Sequence, residues 1–139
     1  MYHIPTYIDV FFAPVRDSEL AQIAIVAVLL LIFFDWLLGS AAAIAQHKYS
    51  SSVARQGMAH KASEICFVLL GIVIDGALKG GLHLGIDSPV LLGCCSYIIV
   101  MEIASCLETI GKINPNLAHS PLFQALDSMQ KHQDEKGDK

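Results

Sequence analysis

The stretch LAQIAIVAVLLLIFFDWLLGSAAAIA, residues 20–45, decides the fold of this chain. Asp35 is its only ionisable residue. As an α-helix at ~1.5 Å per residue the stretch is about 39 Å long, which exceeds a bilayer core of roughly 30 Å. It therefore predicts a membrane-spanning helix, and it raises the question of what an aspartate does inside one.

Two further blocks of the 139-residue chain have the same character. Lys and Arg are absent from residues 17–47, 62–78 and 80–111, and 54% of all residues are hydrophobic. We therefore predict an all-α integral membrane protein with three transmembrane helices, at about 20–45, 62–79 and 89–110. A soluble helical bundle is disfavoured because too little polar surface lies between the blocks to cover one.

Basic residues near these spans predict the orientation. Only Arg16 and Lys79 lie on one side of the membrane in this arrangement. The other side carries the remaining seven, which are Lys48, Arg55, Lys61, Lys112, Lys131, Lys136 and Lys139. The positive-inside rule then places the N-terminus outside and the C-terminus in the cytoplasm. Lys48, Arg55 and Lys61 are the expected contacts to lipid headgroups.

Flanking segments complete the predicted organisation. Residues 1–18 carry aromatics between two prolines and form either an interfacial segment or an outer tail. Residues 19–111 form the membrane domain, and residues 112–139 form a polar cytoplasmic tail in which a short helix at 121–130 is expected. Asp87 or Ser88 is expected to cap the third span. A cleavage site after Ala45 is disfavoured, because the apolar run is too long for a signal peptide.

Each predicted span carries a small or polar stripe. Residues four apart share a helix face, so Asp35, Gly39 and Ala43 align, and the small pair among them is typical of close helix contacts. On the second span Asp75 precedes Lys79 by four residues, the favoured order for an ion pair. The predicted helix-interface or lumen-facing residues are Asp35, Gly39, Ala43, Gly71, Asp75, Glu102, Ser105 and Thr109.

An ionised acid at the bilayer centre costs on the order of 2.5–3.5 kcal/mol, so these acids should face protein or water. Three other interpretations remain open. Asp35 could reach the cytoplasmic interface, acids near helix ends such as Glu64 and Glu108 could do the same, and a buried carboxyl could be protonated. Glu102 is the hardest to explain as an edge residue.

Catalytic and cofactor chemistry finds no support in the sequence. The four cysteines show no metal-binding spacing, the six histidines form no HExxH motif, and no nucleophile is visibly paired with a base. We expect no enzyme activity, no cofactor and no metal. The basic residues form no dense patch, so nucleic acid is not an expected partner.

Two segments carry a family resemblance: DWLLGSAAAIAQHKYSSSVARQGMAHK, residues 35–61, and MEIASCLETIGKINPNL, residues 101–117. Both are similar to the toxin-secretion and phage-lysis holin family. The matching positions are Asp35, Gly39, Lys48, Ser51, Ser52, Gly57, Lys61, Glu102, Ser105, Glu108, Gly111 and Pro115, and Asp75 also falls where the family tends to have an acid. Thr109, Met101 and Asn114 depart from the family pattern.

The resemblance implies a small phage protein that forms homo-oligomers in the host cytoplasmic membrane. It would open timed lesions that release an endolysin or a toxin, with itself, the lipid bilayer and that cargo as partners. Two alternatives stay open. The first is an antiholin or membrane interaction protein, and the second is a small ion-channel or transport subunit.

Overall fold

The computed structural model describes residues 6–80 and 89–134. Every element in these two ranges is an α-helix, so the described fold is all-α. In chain order the helices are α1 (Thr6–Arg16), α2 (Glu19–Ala45), α3 (Ser51–Gly80), α4 (Pro89–Ile113), α5 (Pro115–Ala118) and α6 (Pro121–Asp134).

Two of these helices, α2 and α4, are long and apolar enough to cross a membrane. Large side chains on α2 such as Ile23 and Leu30 are 64% and 63% exposed, which is the surface that lipid would cover. α3 is longer, but Glu64, Asp75 and Lys79 lie within its apolar part. The third span therefore stays a prediction.

Serine side chains fix the start of the two longest helices. The Ser18 hydroxyl accepts a hydrogen bond from the Ala21 N–H at 3.2 Å and so caps α2. The Ser50 hydroxyl accepts from the Val53 N–H at 3.3 Å and caps α3. α3 consequently begins at Ser51, well before the apolar stretch that starts at residue 62, because a cap rather than hydropathy sets the first turn.

The end of α2 is closed by a backbone motif. The Lys48 N–H donates to the Ala43 carbonyl at 3.0 Å, and the His47 N–H donates to the Ile44 carbonyl at 3.1 Å. This is the Schellman pattern, which needs a left-handed residue after the helix. His47 takes that position with φ 54°, where glycine is the commoner choice.

The chain divides into two compact units. The first comprises Met1–Leu30 and Met58–Ile99, and its buried apolar side chains include Val28, Leu91 and Ile98. The second comprises Leu31–Gly57 and Val100–Lys139, and it buries Ile32 and Cys106. Asp87 and Ser88, the predicted caps of the third span, lie outside the described residues.

Candidate functional site

Among the described side chains, four acids are buried. Asp35 is 9% exposed, Glu64 8%, Asp75 2% and Glu102 2%. Burial of a carboxylate is costly unless hydrogen bonds or opposite charges compensate for the lost water. The surroundings of each acid therefore indicate its role.

Asp75 caps the start of α4, which lies in the first unit. Its Oδ1 accepts a hydrogen bond from the Val90 N–H at 3.2 Å, and its Oδ2 accepts one from the Leu91 N–H at 2.7 Å. Both donors lie in the first turn of α4, where backbone N–H groups lack helical acceptors and the helix dipole favours a negative charge. Asp75 on α3 thus fixes the start of α4.

The expected pairing of Asp75 with Lys79 is corrected by these contacts. The ammonium of Lys79 lies 3.2 Å from a carboxylate oxygen of Asp17. Helical spacing alone favours the local pair, but α4 offers Asp75 one part-buried and one buried backbone donor. Asp17 offers Lys79 an exposed acid. The helical spacing of residues along the sequence cannot predict either of these tertiary contacts.

Two glycines let other helices approach α3 closely. A Cβ added at Gly71 would lie 3.1 Å from the Cα of Leu91 and 3.3 Å from the Cys94 Sγ. A Cβ added at Gly76 would lie 2.7 Å from the Cα of Phe11 and 2.9 Å from its carbonyl oxygen. Gly71 was a predicted contact residue, whereas Gly76 was missed, although a second glycine in the same apolar helix was a usable signal.

An ionic cluster ties α1 to the end of α3. Arg16 pairs with Asp9 and with Asp17, the latter at 2.8 Å, and Asp17 also contacts Lys79. The hydrogen bond from Arg16, and then the one from Lys79, hold the pKa of Asp17 below its ordinary value. Both basic residues near this end are therefore neutralised by acids.

The second unit contains Asp35 and Glu102. The Cys106 thiol lies 3.9 Å from the Asp35 Oδ1, a weak sulfur hydrogen bond that is buried. Glu102 lies one helical turn before Cys106 and close to the midpoint of α4, whose bounds are Pro89 and Ile113. The structure therefore places an almost fully buried acid halfway along a helix that is long enough to span a membrane.

The other predicted residues of the second unit are less enclosed. Ala43, Ser105 and Thr109 are half-buried, and Gly39 is exposed. A Cβ added at Gly39 would meet no described atom within 4 Å. Within the described residues, the small face of α2 at Gly39 is thus not used for close packing.

A model of the bacteriophage holin family matches residues 19–130. The chain belongs to the bacteriophage holin family. The match begins at the first residue of α2, includes all four buried acids and ends inside α6. No curated protein and no solved structure matches the chain. The predicted holin family is confirmed, and this holin is accordingly a membrane protein of a pore-forming, non-enzymatic family.

Basic residues of this holin differ in their surroundings. Lys48 and Arg55 are exposed. A carboxylate oxygen of Glu64 lies 3.0 Å from the His60 Nε2, and the other lies 3.5 Å from the Lys61 ammonium. Lys61 therefore forms an ion pair with a buried acid on its own helix. No group of three or more His, Cys, Asp or Glu side chains in the described residues could hold a metal ion.

A departure from the family pattern also has a local reason in this holin. The Asn114 side chain accepts a hydrogen bond from the Asn116 N–H at 3.2 Å and caps α5, with Pro115 in the first turn. An apolar residue at this position could not make that bond. Asn114 therefore sets the sharp turn that follows α4.

Proposed function

We propose that this holin spans the host cytoplasmic membrane three times, with its N-terminus outside and its C-terminus in the cytoplasm. Copies associate with one another as the protein accumulates. At a threshold they open lesions through which an endolysin, or a toxin, leaves the cytoplasm. The cargo passes without needing a binding site on the holin.

The buried acid Glu102 is the observation that carries this proposal. It is 2% exposed near the midpoint of α4, a position where lipid contact would be costly. A single chain can shelter such an acid inside its own fold. Association of copies gives it a second low-energy environment, a water-filled lumen, so that crowding favours a rearrangement that turns the acid toward water.

Charge placement supports the proposed orientation. Arg16 and Lys79, the two basic residues on the proposed outer side, are paired with Asp9 and Asp17. Lys48 and Arg55, on the proposed cytoplasmic side, are exposed and free to lie near anionic headgroups. The positive-inside rule counts Lys and Arg residues and not net charge, and seven of the nine lie on the proposed cytoplasmic side.

The ends of α3 support its use as the third span. Lys61 and Lys79 are separated by about 27 Å of helix at ~1.5 Å per residue, close to the thickness of a bilayer core. Each is paired with an acid, Glu64 and Asp17 respectively. Between Glu64 and Asp75 the helix carries no charge, and long lysine side chains at both ends can reach the headgroups.

Controlled expression in a bacterial host tests the proposal. Membrane potential is followed with a voltage-sensitive dye, with and without a cytoplasmic cell-wall hydrolase that lacks an export signal. We expect abrupt, timed depolarisation in both cultures and lysis only where the hydrolase is present. A hydrolase with an inactivated catalytic site is the matched control.

Other outcomes contradict the proposal in different ways. Polarised, growing cells throughout, together with delayed lysis by a second holin, would indicate an antiholin or another interaction protein. Reversible, ion-selective conductance without hydrolase release would indicate a channel or transport subunit.

A further inference from the structure

The helix α6 is held against the last turns of α4. Ser120 caps α6 through its hydroxyl, which accepts from the Phe123 N–H at 3.3 Å. The ring Cζ of Phe123 lies 3.6 Å from the Cβ position of Gly111 on α4. The start of α6 is therefore fixed next to the end of a candidate membrane span.

One face of α6 is apolar and uncovered. Leu122, Leu126 and Met129 are 72%, 42% and 69% exposed. At 100° per residue these three side chains lie within about 60° of arc, while Gln124 and Ser128 lie on the opposite side. The face that Phe123 uses to contact Gly111 is separate from this apolar face.

We infer that the apolar face of α6 lies on the lipid bilayer, at the boundary between headgroups and acyl chains of the leaflet in which α4 ends. α4 ends at Ile113 and α6 starts at Pro121. Ile113 and Leu117 are also exposed, so apolar side chains lead from the end of this candidate span to the apolar face of α6. An amphipathic helix of this kind buries its apolar face about 5–10 Å into the interface.

Surface attachment of α6 would restrain α4. Because the Phe123 ring lies close to Gly111 on α4, tilting or sliding of α4 would move Leu122 and Leu126 relative to lipid. α6 thus acts as an interfacial stop at one end of the span. The inference needs only membrane insertion of α4, and it stands or falls independently of lesion formation.

Tryptophan fluorescence in vesicles tests this inference on the full-length protein. The chain has a single tryptophan, Trp36, so Trp36→Phe provides a background for Met129→Trp or Ser128→Trp. These neighbouring positions are about 100° apart on the helix, with residue 129 on the apolar face and residue 128 off it. In phosphatidylethanolamine and phosphatidylglycerol vesicles with brominated acyl chains, we expect the residue-129 probe to be quenched about twofold or more over the residue-128 probe.

A second pair, Leu122→Trp and Gln124→Trp, repeats the test nearer Phe123, and only variants with wild-type helix content are compared. Equal quenching of the two probes in each pair by brominated lipid would overturn the inference. Protection of the residue-129 probe from aqueous acrylamide without quenching by brominated lipid would also overturn it, because protein and not lipid would then cover the face.

Discussion

Two glycines in the apolar part of α3 and one glycine on α2 have opposite surroundings in this holin. Gly76 on α3 leaves no room for a Cβ against the backbone of Phe11, and Gly71 leaves little room against the backbone of Leu91. Gly39 on α2 has open space at the same position among the described residues. At Gly71 and Gly76 the first unit is closely packed, whereas α2 of the second unit leaves a small face open at Gly39.

The buried acids show a parallel difference. Asp75 in the first unit has a structural role, since its two carboxylate oxygens accept from the first N–H groups of α4. Glu102 in the second unit lies in the middle of the same helix, where no helix terminus needs a cap. Under the proposed function, the first unit is the part that maintains the fold and the second is the part that rearranges when copies associate.

Removal of the cap should have the largest effect on stability. Asp75→Ala leaves two backbone donors of α4 without acceptors, at about 1–3 kcal/mol for each one that stays buried. We expect a large loss in the free energy of unfolding in detergent micelles, and a smaller one for Asp75→Asn, whose side-chain oxygen can still accept one bond. Asp75→Ala with wild-type stability would contradict the structural role of this acid.

The next largest effect should come from Gly76. An added Cβ lies 2.7 Å from the Cα of Phe11, so Gly76→Ala forces α1 away from α3 at a cost of about 1–3 kcal/mol. Limited proteolysis near Arg16 measures the release of α1. Gly57→Ala is the matched control. Gly57 lies on the same helix, and an added Cβ there meets no described atom within 4 Å.

Gly71→Ala and Gly39→Ala test the comparison directly. Gly71→Ala must displace Leu91 or Cys94 and should destabilise the isolated protein moderately. Gly39→Ala should leave the unfolding free energy unchanged or slightly higher, because alanine favours a helix, yet it should change crosslinking between copies and the time of lysis. Equal destabilisation by both variants would show that the two regions are alike.

The positions of the candidate spans could be predicted from the sequence, but the contacts between helices could not. Apolar runs place the two candidate spans at 20–45 and 89–110, and the structure has them at Glu19–Ala45 and Pro89–Ile113, because hydropathy and helix length are local properties. The approach of Phe11 to Gly76 and the bonds from Asp75 to α4 join residues far apart in the chain. Helical periodicity does not predict these contacts, so the expected ion pair of Asp75 with Lys79 is wrong.

The smallest effect is expected at the exposed ion cluster. The hydrogen bonds from Arg16 and Lys79 lower the pKa of Asp17 from 3.8 in the folded state. A lowered folded pKa stabilises the protein above pH 3.8, and this contribution disappears as the pH falls through the folded pKa. Asp17→Asn should therefore be slightly less stable than wild type at neutral pH and equal to it in strong acid, as measured by unfolding at several pH values.

The most direct test of the central claim is the lysis time of Glu102→Gln compared with Glu108→Gln on the same helix. Glu108 is exposed and pairs with Lys112 at 2.6 Å, so it controls for loss of an acid away from the middle of the span. At equal membrane accumulation we predict a clear shift in lysis time for Glu102→Gln and little change for Glu108→Gln. Unchanged timing for Glu102→Gln would contradict the account.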